Sequence, residues 1–235
     1  MDGRDLSLEL RHRFFELGCS GPLVVSVETD WTGKVDTTGL LGPGASTDRR
    51  AEFAMGRELA AQCLAAIGHE PMLIGRGPSR EPLWPDGIRG SITHTRGLAA
   101  VVVWLPDDIQ AGIGIDAERR GRIEQNDIDG ALSARERDAL AVLAPAERDQ
   151  FSTAVFSAKE ALYKAQYPLT GHFIDYADVT VLPDIRPTAA AAKPKLVLHD
   201  CASVLEPFEC SIFYQCSGDF VVTGALVRAR QPGLK

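Results

Sequence analysis

The sequence predicts a mixed α/β (α+β) protein made of two similar lobes, each with a hairpin of antiparallel strands and a long helix. One observation is the stretch GSITHTRGLAAVVVWL at residues 90–105, where apolar runs around a glycine are typical of strand, tight turn and strand. A second is ECSIFYQCSGDFVVTGALV at residues 209–227, which repeats that order. A third is the long stretch of helical spacing that precedes each hairpin, so we expect the same arrangement in both halves.

Composition limits the class of protein. The 235 residues are 45% hydrophobic and 24% charged, which is an ordinary balance for one large or two small soluble domains. The N-terminus lacks the apolar segment of a signal peptide, and we expect a cytoplasmic protein without a membrane partner. The net charge of −7 argues against general nucleic-acid binding. The five cysteines form no CxxC pair and are expected to be buried thiols.

The first lobe begins with an alternating strand at residues 22–30, followed by a loop to residue 44. Ser46, Thr47 and Asp48 offer an N-cap for a helix that Gly68 ends. The apolar positions of this helix recur at helical spacing: Phe53, Gly56, Ala60, Cys63 and Ile67.

Cations are concentrated early in this helix and in the loop after it. Arg49 and Arg57 lie in the first three turns, where the helix dipole disfavours positive charge, so the segment indicates either an anionic ligand or a solvated basic face. Residues 73–86 form a basic loop rich in Gly and Pro that carries Arg76 and Arg80. His94, on the following strand, is either a structural residue or a site residue. A polar break at residues 105–111 predicts two domains, 1–110 and 111–235.

The strand AGIGIDAE at residues 111–118 ends in two acids. Asp116 and Glu118 are two residues apart and should face the same side of the strand. At a separation of roughly 7 Å and an effective dielectric of about 20, the two charges repel by about 2 kcal/mol. The pair therefore indicates either a solvated strand end or a bound cation.

Two helices should follow this strand. Ser133 and Glu136 form a capping box, and Pro145 opens a longer helix that Pro168 should end near residue 167. The longer helix has a core stripe of Phe151, Val155, Ala158, Leu162 and Ala165. The opposite side is predicted to carry Ser157, Glu160 and Lys164, with Lys159 at the flank. Glu160 and Lys164 alone could be a surface ion pair of about 0.3 kcal/mol. Strands are predicted at residues 177–182, 195–199, 208–215 and 220–228, with a low-complexity turn or linker at 186–195.

Convergence of the three acids would create a hard oxygen site. Asp116, Glu118 and Glu160 would suit Mg²⁺ or Mn²⁺ better than zinc. The cations at Lys159, Lys164, Arg49, Arg57, Arg76 and His94 would hold the phosphates of a ligand. This combination indicates phosphoryl chemistry.

At this point the residues resemble a known family. GIGIDAE at 112–118 with FSAKEALYK at 156–164 is similar to the paired signature of 4′-phosphopantetheinyl transferases. EPLWPDGIRGSITHT at 81–95 and RRAEFAMGR at 49–57 resemble stretches of the subgroup that serves siderophore, polyketide and nonribosomal peptide synthesis. The resemblance implies a monomeric, pseudo-two-fold pair of lobes with coenzyme A and Mg²⁺ in the cleft between them. It implies transfer of phosphopantetheine to a serine of an acyl or peptidyl carrier protein, leaving adenosine 3′,5′-bisphosphate.

The same resemblance assigns roles to individual positions. It implies a metal site of Asp116, Glu118 and Glu160 in the second lobe, with Asp116 also at the cofactor. Glu160 would accept the serine proton, and Lys164 and Lys159 would offset phosphoryl charge. The first lobe would hold the nucleotide and its 3′-phosphate through Arg49, Arg57, Arg76, Thr93 and His94.

Some positions depart from the family pattern. A second basic residue of the loop stands at Arg80, shifted by one, with Ser79 in its expected place. Phe173 could border the pantetheine or carrier, or belong to the core.

Two alternative functions remain. A metal-dependent nuclease or phosphodiesterase would need an acid-x-lysine pair, and the residues after Glu118 lack that lysine. A non-catalytic coenzyme A-binding protein would have no use for Glu160.

Overall fold

The computed structural model divides the chain into two compact units, Met1–Ile109 and Gln110–Lys235. It describes residues 2–29, 41, 44, 46–108, 110–121, 130–183, 196–200 and 203–230. Cys201, the linker predicted at 186–195 and nearly all of the loop predicted up to residue 44 lie outside these residues. Within the described part, no helix is long and apolar enough to cross a membrane.

Unit 1 consists of a three-stranded antiparallel sheet with a long helix. Its elements are α1 (Gly3–Glu16), β1 (Leu23–Glu28), α2 (Thr47–Ala66), β2 (Gly75–Arg76), β3 (Pro82–Leu83), β4 (Arg89–Thr95) and β5 (Leu98–Trp104). The strand order is β1-β5-β4, and the central strand β5 is buried along its whole length. Leu59 and Cys63 of α2 pack with Val101 and Val103 of β5 in one hydrophobic cluster. The sheet and the helix thus share one core.

The N-terminal helix α1 was not predicted, although its signals are present in the sequence. The Asp2 side chain accepts a hydrogen bond from the Asp5 amide and caps the helix. Leu6, Leu10 and Phe14 recur every four residues and are fully buried. Charged residues between these positions obscured the stripe.

Unit 2 repeats the same plan. Its elements are β6 (Ala111–Arg119), α3 (Ala134–Ala141), α4 (Pro145–Thr170), a 3₁₀ turn (Tyr176–Asp178), β7 (Thr180–Pro183), β8 (Leu196–Asp200), a second 3₁₀ turn (Ser203–Leu205), β9 (Phe208–Ser217) and β10 (Phe220–Ala229). The sheet order is β6-β10-β9, all antiparallel, and β7 pairs with β8. In unit 1, β1 pairs with β5, and β5 forms a hairpin with β4. In unit 2, β6 pairs with β10, and β10 forms a hairpin with β9. This confirms the predicted fold class.

Two predictions about α4 are wrong. The helix does not end at Pro168 but runs through it to Thr170, where Gly171 takes a left-handed φ of 65°. Proline costs the helix one hydrogen bond but does not forbid another turn. Ser157 does not lie opposite the core either, because it is fully buried and its hydroxyl lies 2.8 Å from Thr223 Oγ1 of β10. The helix is buried around more of its circumference than the predicted stripe.

Candidate active site

Two glycines of β6 allow the long helix to lie directly on the strand. A methyl group on Gly112 would overlap the carbonyl oxygen of Ala165, and one on Gly114 would overlap that of Ala161. Since both carbonyls belong to α4, any larger residue would push the helix away from β6. The GIGID stretch therefore sets the distance between the acids of the strand and the polar residues of the helix.

This close approach brings Lys164 onto Asp116. The Lys164 ammonium donates to Asp116 Oδ1 at 2.6 Å, and the Ile115 carbonyl oxygen lies 3.4 Å from the same nitrogen. Asp116 is 3% exposed, so its charge needs a partner within the protein. Burial lowers the pKa of Lys164, but the charges of Asp116, Glu160 and Glu118 outweigh it, and the net shift is upward. Lys164 therefore stays charged among three carboxylates.

Glu118 shows that negative charge is in excess at this point. Burial, and then the charge of Asp116, raise the pKa of Glu118 to about 8, although Lys164 opposes the shift. Glu160 adds to the increase. The single ammonium therefore does not neutralise the acids, and an additional cation would stabilise them. The charges of Asp116 and Glu160 thus both act on the Glu118 carboxyl, and the common metal site of the three acids stays a prediction.

The acids are nevertheless not arranged as a finished metal site. Among the described residues, no three His, Cys, Asp or Glu side chains are positioned to hold a metal ion. The donor set fits Mg²⁺ or Mn²⁺, because these ions prefer carboxylate oxygens. Ligation would require these carboxylates to reorient toward one ion.

Tyr176 is a site residue that sequence reasoning missed. Its hydroxyl donates a hydrogen bond to Glu160 Oε1. Burial, the hydrogen bond to Glu160 and the charges of Glu160, Asp116 and Glu118 all raise the pKa of Tyr176, so it remains a donor. No periodic pattern marks this position, because Tyr176 begins a three-residue 3₁₀ turn beyond the end of α4.

The family resemblance implies that Lys159 offsets phosphoryl charge, but its ammonium bonds to groups other than Asp116, Glu118 and Glu160. Its ammonium donates to the Ala131 carbonyl at 2.7 Å, to Glu136 Oε2 at 2.7 Å and to the Tyr176 carbonyl at 2.8 Å. These three bonds use all of its protons. Burial lowers the pKa of Lys159, although the Glu136 hydrogen bond and charge oppose the shift. Lys159 is therefore a buried structural cation at the junction of α3, α4 and the 3₁₀ turn.

A cavity of about 140 Å³ lies beside Glu160. It is mostly apolar, and its lining residues are Lys159, Glu160, Leu162, Tyr163, Phe173, Ile174, Asp175, Tyr176 and Val179. Phe173 is 75% exposed and lies edge-on to the Tyr163 ring at 5.8 Å. Core packing therefore does not account for Phe173.

Unit 1 contains the residues predicted to hold the nucleotide, in two groups. In the first, Arg49 Nη1 lies 3.3 Å from His94 Nε2, and His94 Nδ1 lies 3.4 Å from Glu52 Oε2. A neutral imidazole with its proton on Nδ1 would satisfy both contacts. Burial raises the pKa of Glu52, while Arg49 opposes this shift.

The second group pairs a buried arginine with a neighbouring one. Arg57 is 5% exposed, stacks on the Phe53 ring at 4.4 Å, and its Nη2 lies 3.5 Å from the Gly75 carbonyl oxygen. Burial, and then the charge of Arg76, lower the pKa of Arg57 to about 10. Its Nε is buried and has no hydrogen-bond acceptor within the described structure. Two adjacent guanidinium groups with a missing acceptor are suited to an anion.

The other positions singled out in unit 1 lie on β4 and in the segment between β2 and β4. Thr93 is buried on β4 opposite Ala100. A side chain on Gly90 would overlap the Trp84 ring, so the WPDGIRG stretch is a packing motif. Arg80 takes a φ of 74°, which is unusual for a residue other than glycine and belongs to the turn between β2 and β3.

Comparison with known proteins follows the same division of the chain. Residues 40–104 match the family model of the 4′-phosphopantetheinyl transferase N-terminal domain, and residues 112–223 match that of the 4′-phosphopantetheinyl transferase superfamily. The first match includes Arg49, Arg57 and Arg76, and the second includes Asp116, Glu118, Glu160 and Lys164.

Two of three similar proteins carry the name 4′-phosphopantetheinyl transferase, and the third is named for enterobactin synthesis. The chain is 38% identical over 139 residues to the 4′-phosphopantetheinyl transferase Svp of Streptomyces mobaraensis, covering 58% of this chain and 56% of the relative. It is 35% identical over 133 residues to PptT of Mycobacterium tuberculosis, covering 57% and 58%. It is 36% identical over 124 residues to enterobactin synthase component D of Salmonella typhimurium, covering 52% and 50%. The matches thus span little more than half of the length of these relatives.

Proposed function

The chain belongs to the 4′-phosphopantetheinyl transferase superfamily, and on that premise we propose that it transfers 4′-phosphopantetheine from coenzyme A to a serine of an acyl or peptidyl carrier protein. The serine oxygen forms a bond to the β-phosphorus, the bridging bond to the α-phosphate breaks, and adenosine 3′,5′-bisphosphate leaves. The observation that carries this proposal is the cluster of Asp116, Glu118, Glu160 and Lys164, held together by the close contact of α4 with β6.

The acids of unit 2 are assigned to a divalent cation. Asp116, Glu118 and Glu160 would hold Mg²⁺, which when bound supplies charge stabilisation to the pyrophosphate oxygens. Burial, and then the charge of Asp116, raise the pKa of Glu118 to about 8, and a cation bound beside these acids would relieve both effects. Mn²⁺ has the same ligand preference and would serve in its place.

Glu160 is assigned as the acceptor of the serine proton, directly or through water. It is the only one of the three acids on the helix, where it borders the cavity and accepts a hydrogen bond from the Tyr176 hydroxyl. Lys164 is charged and lies beside Asp116, where it would offset the negative charge of the phosphoryl group and the leaving phosphate. The apolar cavity next to Glu160 is suited to the pantetheine arm.

Unit 1 is assigned to the nucleotide end of coenzyme A. Arg57 and Arg76 offer adjacent positive charge and an unused Nε donor for the 3′-phosphate. Arg49, His94 and Thr93 would contact the remainder of the nucleotide. The relative named enterobactin synthase component D supports a role in secondary metabolism. The proposed enzyme is a monomer that acts on a carrier protein.

The test is a mass measurement on purified carrier proteins after incubation with coenzyme A and Mg²⁺. We expect the phosphopantetheine mass gain with the native protein and its loss on chelation of the metal. Glu160→Gln should reduce the rate at least about 100-fold, since it removes the proton acceptor. Glu206→Gln, an exposed position in the same unit, is the matched control and should retain the native rate. Coenzyme A binding without any carrier modification would instead favour a non-catalytic binding protein.

A further inference from the structure

The side chain of Glu160 is held by a hydrogen bond from outside its own helix. Tyr176 follows Glu160 by 16 residues and reaches back to donate its hydroxyl proton to Oε1. A glutamate side chain has three rotatable bonds, and anchoring one oxygen restricts all of them. The anchor is a neutral group, so it orients the carboxylate without cancelling its charge as an ammonium would.

Tyr176 is itself fixed by several contacts. Its ring packs against Phe156 of α4, with centroids 5.6 Å apart and planes tilted by 34°. Its carbonyl accepts the hydrogen bond of 2.8 Å from Lys159. Asp175 caps the 3₁₀ turn by accepting from the Ala177 amide at 3.0 Å. The hydroxyl is therefore delivered to Glu160 by a rigid turn.

Lys159 is anchored in turn by Glu136, a fully buried acid on α3. Glu136 Oε2 accepts from Lys159 at 2.7 Å and from the Ser133 amide at 2.7 Å, while Oε1 accepts from the Val181 amide of β7 at 2.7 Å. The Glu136 carboxylate thus links α3 and β7 to the Lys159 ammonium of α4. The same ammonium holds the 3₁₀ turn that carries Tyr176. A buried ion pair contributes little net stability, but it does fix geometry.

We propose that Tyr176 is a positioning residue that fixes the Glu160 carboxylate for proton acceptance and metal binding, and that the buried Glu136–Lys159 pair acts through Tyr176. The role of Lys159 is thereby structural support of the site, rather than contact with the phosphoryl group. This inference rests on the proposed function for its kinetic consequence, while its effect on metal affinity is independent of any carrier protein.

The experiment compares Tyr176→Phe with the native protein. Phenylalanine keeps the ring packing and removes only the hydroxyl. We expect kcat for carrier modification to fall about tenfold, with KM for coenzyme A within about twofold, because a hydrogen bond to a charged group is lost. Mn²⁺ affinity, titrated by electron paramagnetic resonance with the metal alone, should weaken several-fold. Tyr214→Phe is the matched control, since Tyr214 is a buried tyrosine of the same unit that bonds to Gln150, and both values should be unchanged.

The outcomes separate this inference from the proposed function. Native kcat and native Mn²⁺ affinity in Tyr176→Phe would overturn the positioning role while leaving the transferase proposal intact. Weakened Mn²⁺ binding in Tyr176→Phe, with no carrier modification by the native protein, would support the positioning role and overturn the transferase proposal.

The link to Lys159 is tested by a double-mutant cycle. Lys159→Met with Glu136→Gln removes the buried pair without leaving an uncompensated charge. We expect it to lower kcat, and to lower it no further when Tyr176→Phe is added, because both changes act on the same contact. The link is overturned if the paired variant unfolds at the same temperature as the native protein and the losses of kcat caused by the two changes are additive. If the paired variant does not fold, Glu136→Gln alone takes its place in the cycle, with the same two outcomes.

Discussion

Burial sets the chemistry of single residues in this protein. Arg57 is a cation in the core of unit 1, where it stacks on the Phe53 ring. Burial, and then the charge of Arg76, lower its pKa to about 10. Glu118 is an acid with its pKa raised to about 8 for the corresponding reasons, burial and a like charge. Both are under electrostatic stress that a ligand of opposite charge would relieve, a phosphate in one case and a divalent cation in the other.

Replacement of Arg57 tests the phosphate assignment. Arg57→Gln should weaken binding of adenosine 3′,5′-bisphosphate by about tenfold or more, because charge-assisted hydrogen bonds to phosphate are lost. Isothermal titration calorimetry measures the effect directly. Arg4→Gln removes the same charge from an exposed position of unit 1 and should leave the affinity unchanged. Equal losses in the two variants would show that net charge, rather than a local site, attracts the nucleotide.

Cys63 offers a measurement of pH dependence within the core. Burial raises the pKa of its thiol to about 12, so the thiolate is negligible at pH 8 and still a small minority at pH 10. We expect no alkylation of Cys63 by iodoacetamide in the native protein over this range, and complete alkylation after denaturation. Peptide mass analysis distinguishes the cysteines. Rapid modification of native Cys63 at pH 8 would contradict its burial between α2 and the sheet.

At the scale of elements, the contact of α4 with β6 is the structural basis of the acidic cluster. Small residues on both sides make the contact possible: Gly112 and Gly114 on the strand, and Ala161 and Ala165 on the helix. Because the backbones are so close, the long Lys164 side chain can reach back to Asp116. The spacing of the signature residues thus reflects packing as well as chemistry.

A methyl group on the strand should disrupt this contact. Gly114→Ala is expected to destabilise the protein by roughly 1–3 kcal/mol, since the methyl group would overlap the Ala161 carbonyl. Chemical denaturation measures the change. Gly130→Ala is the control, because a methyl group there meets nothing within 4 Å. Unchanged stability of Gly114→Ala would mean that the helix does not lie as close to β6 as described.

At the scale of the whole molecule, two units share one plan of strand, helix and hairpin but carry different clusters of charged residues. In unit 1, Arg57 lies close to Arg76, whereas in unit 2 the charges of Asp116, Glu118 and Glu160 all act on Lys164. The overall charge of −7 conceals this division.

Under the proposed function, the net charge of this protein affects the rate at which it encounters an acidic carrier protein. Two negatively charged partners repel, and salt screens the repulsion over a Debye length of about 10 Å at 0.1 M. We therefore expect kcat/KM for an acidic carrier to rise between about 20 and 200 mM salt. The same titration with a carrier of near-zero net charge should be flat. A fall with salt would instead indicate a local basic docking surface.

The sequence by itself determined the two-lobed α/β class, both hairpins, the capping box of Ser133 and Glu136, the N-cap region of Ser46, Thr47 and Asp48, and the family signature around Asp116 and Glu160. These features depend on local periodicity and short motifs, which a linear reading resolves. Only the tertiary structure decided that Lys159 pairs with Glu136, that Tyr176 reaches Glu160, that Ser157 is buried, and that Arg57 is a core cation. Each of these contacts joins different elements or depends on burial, and helical or strand spacing does not encode which distant side chain fills a given place.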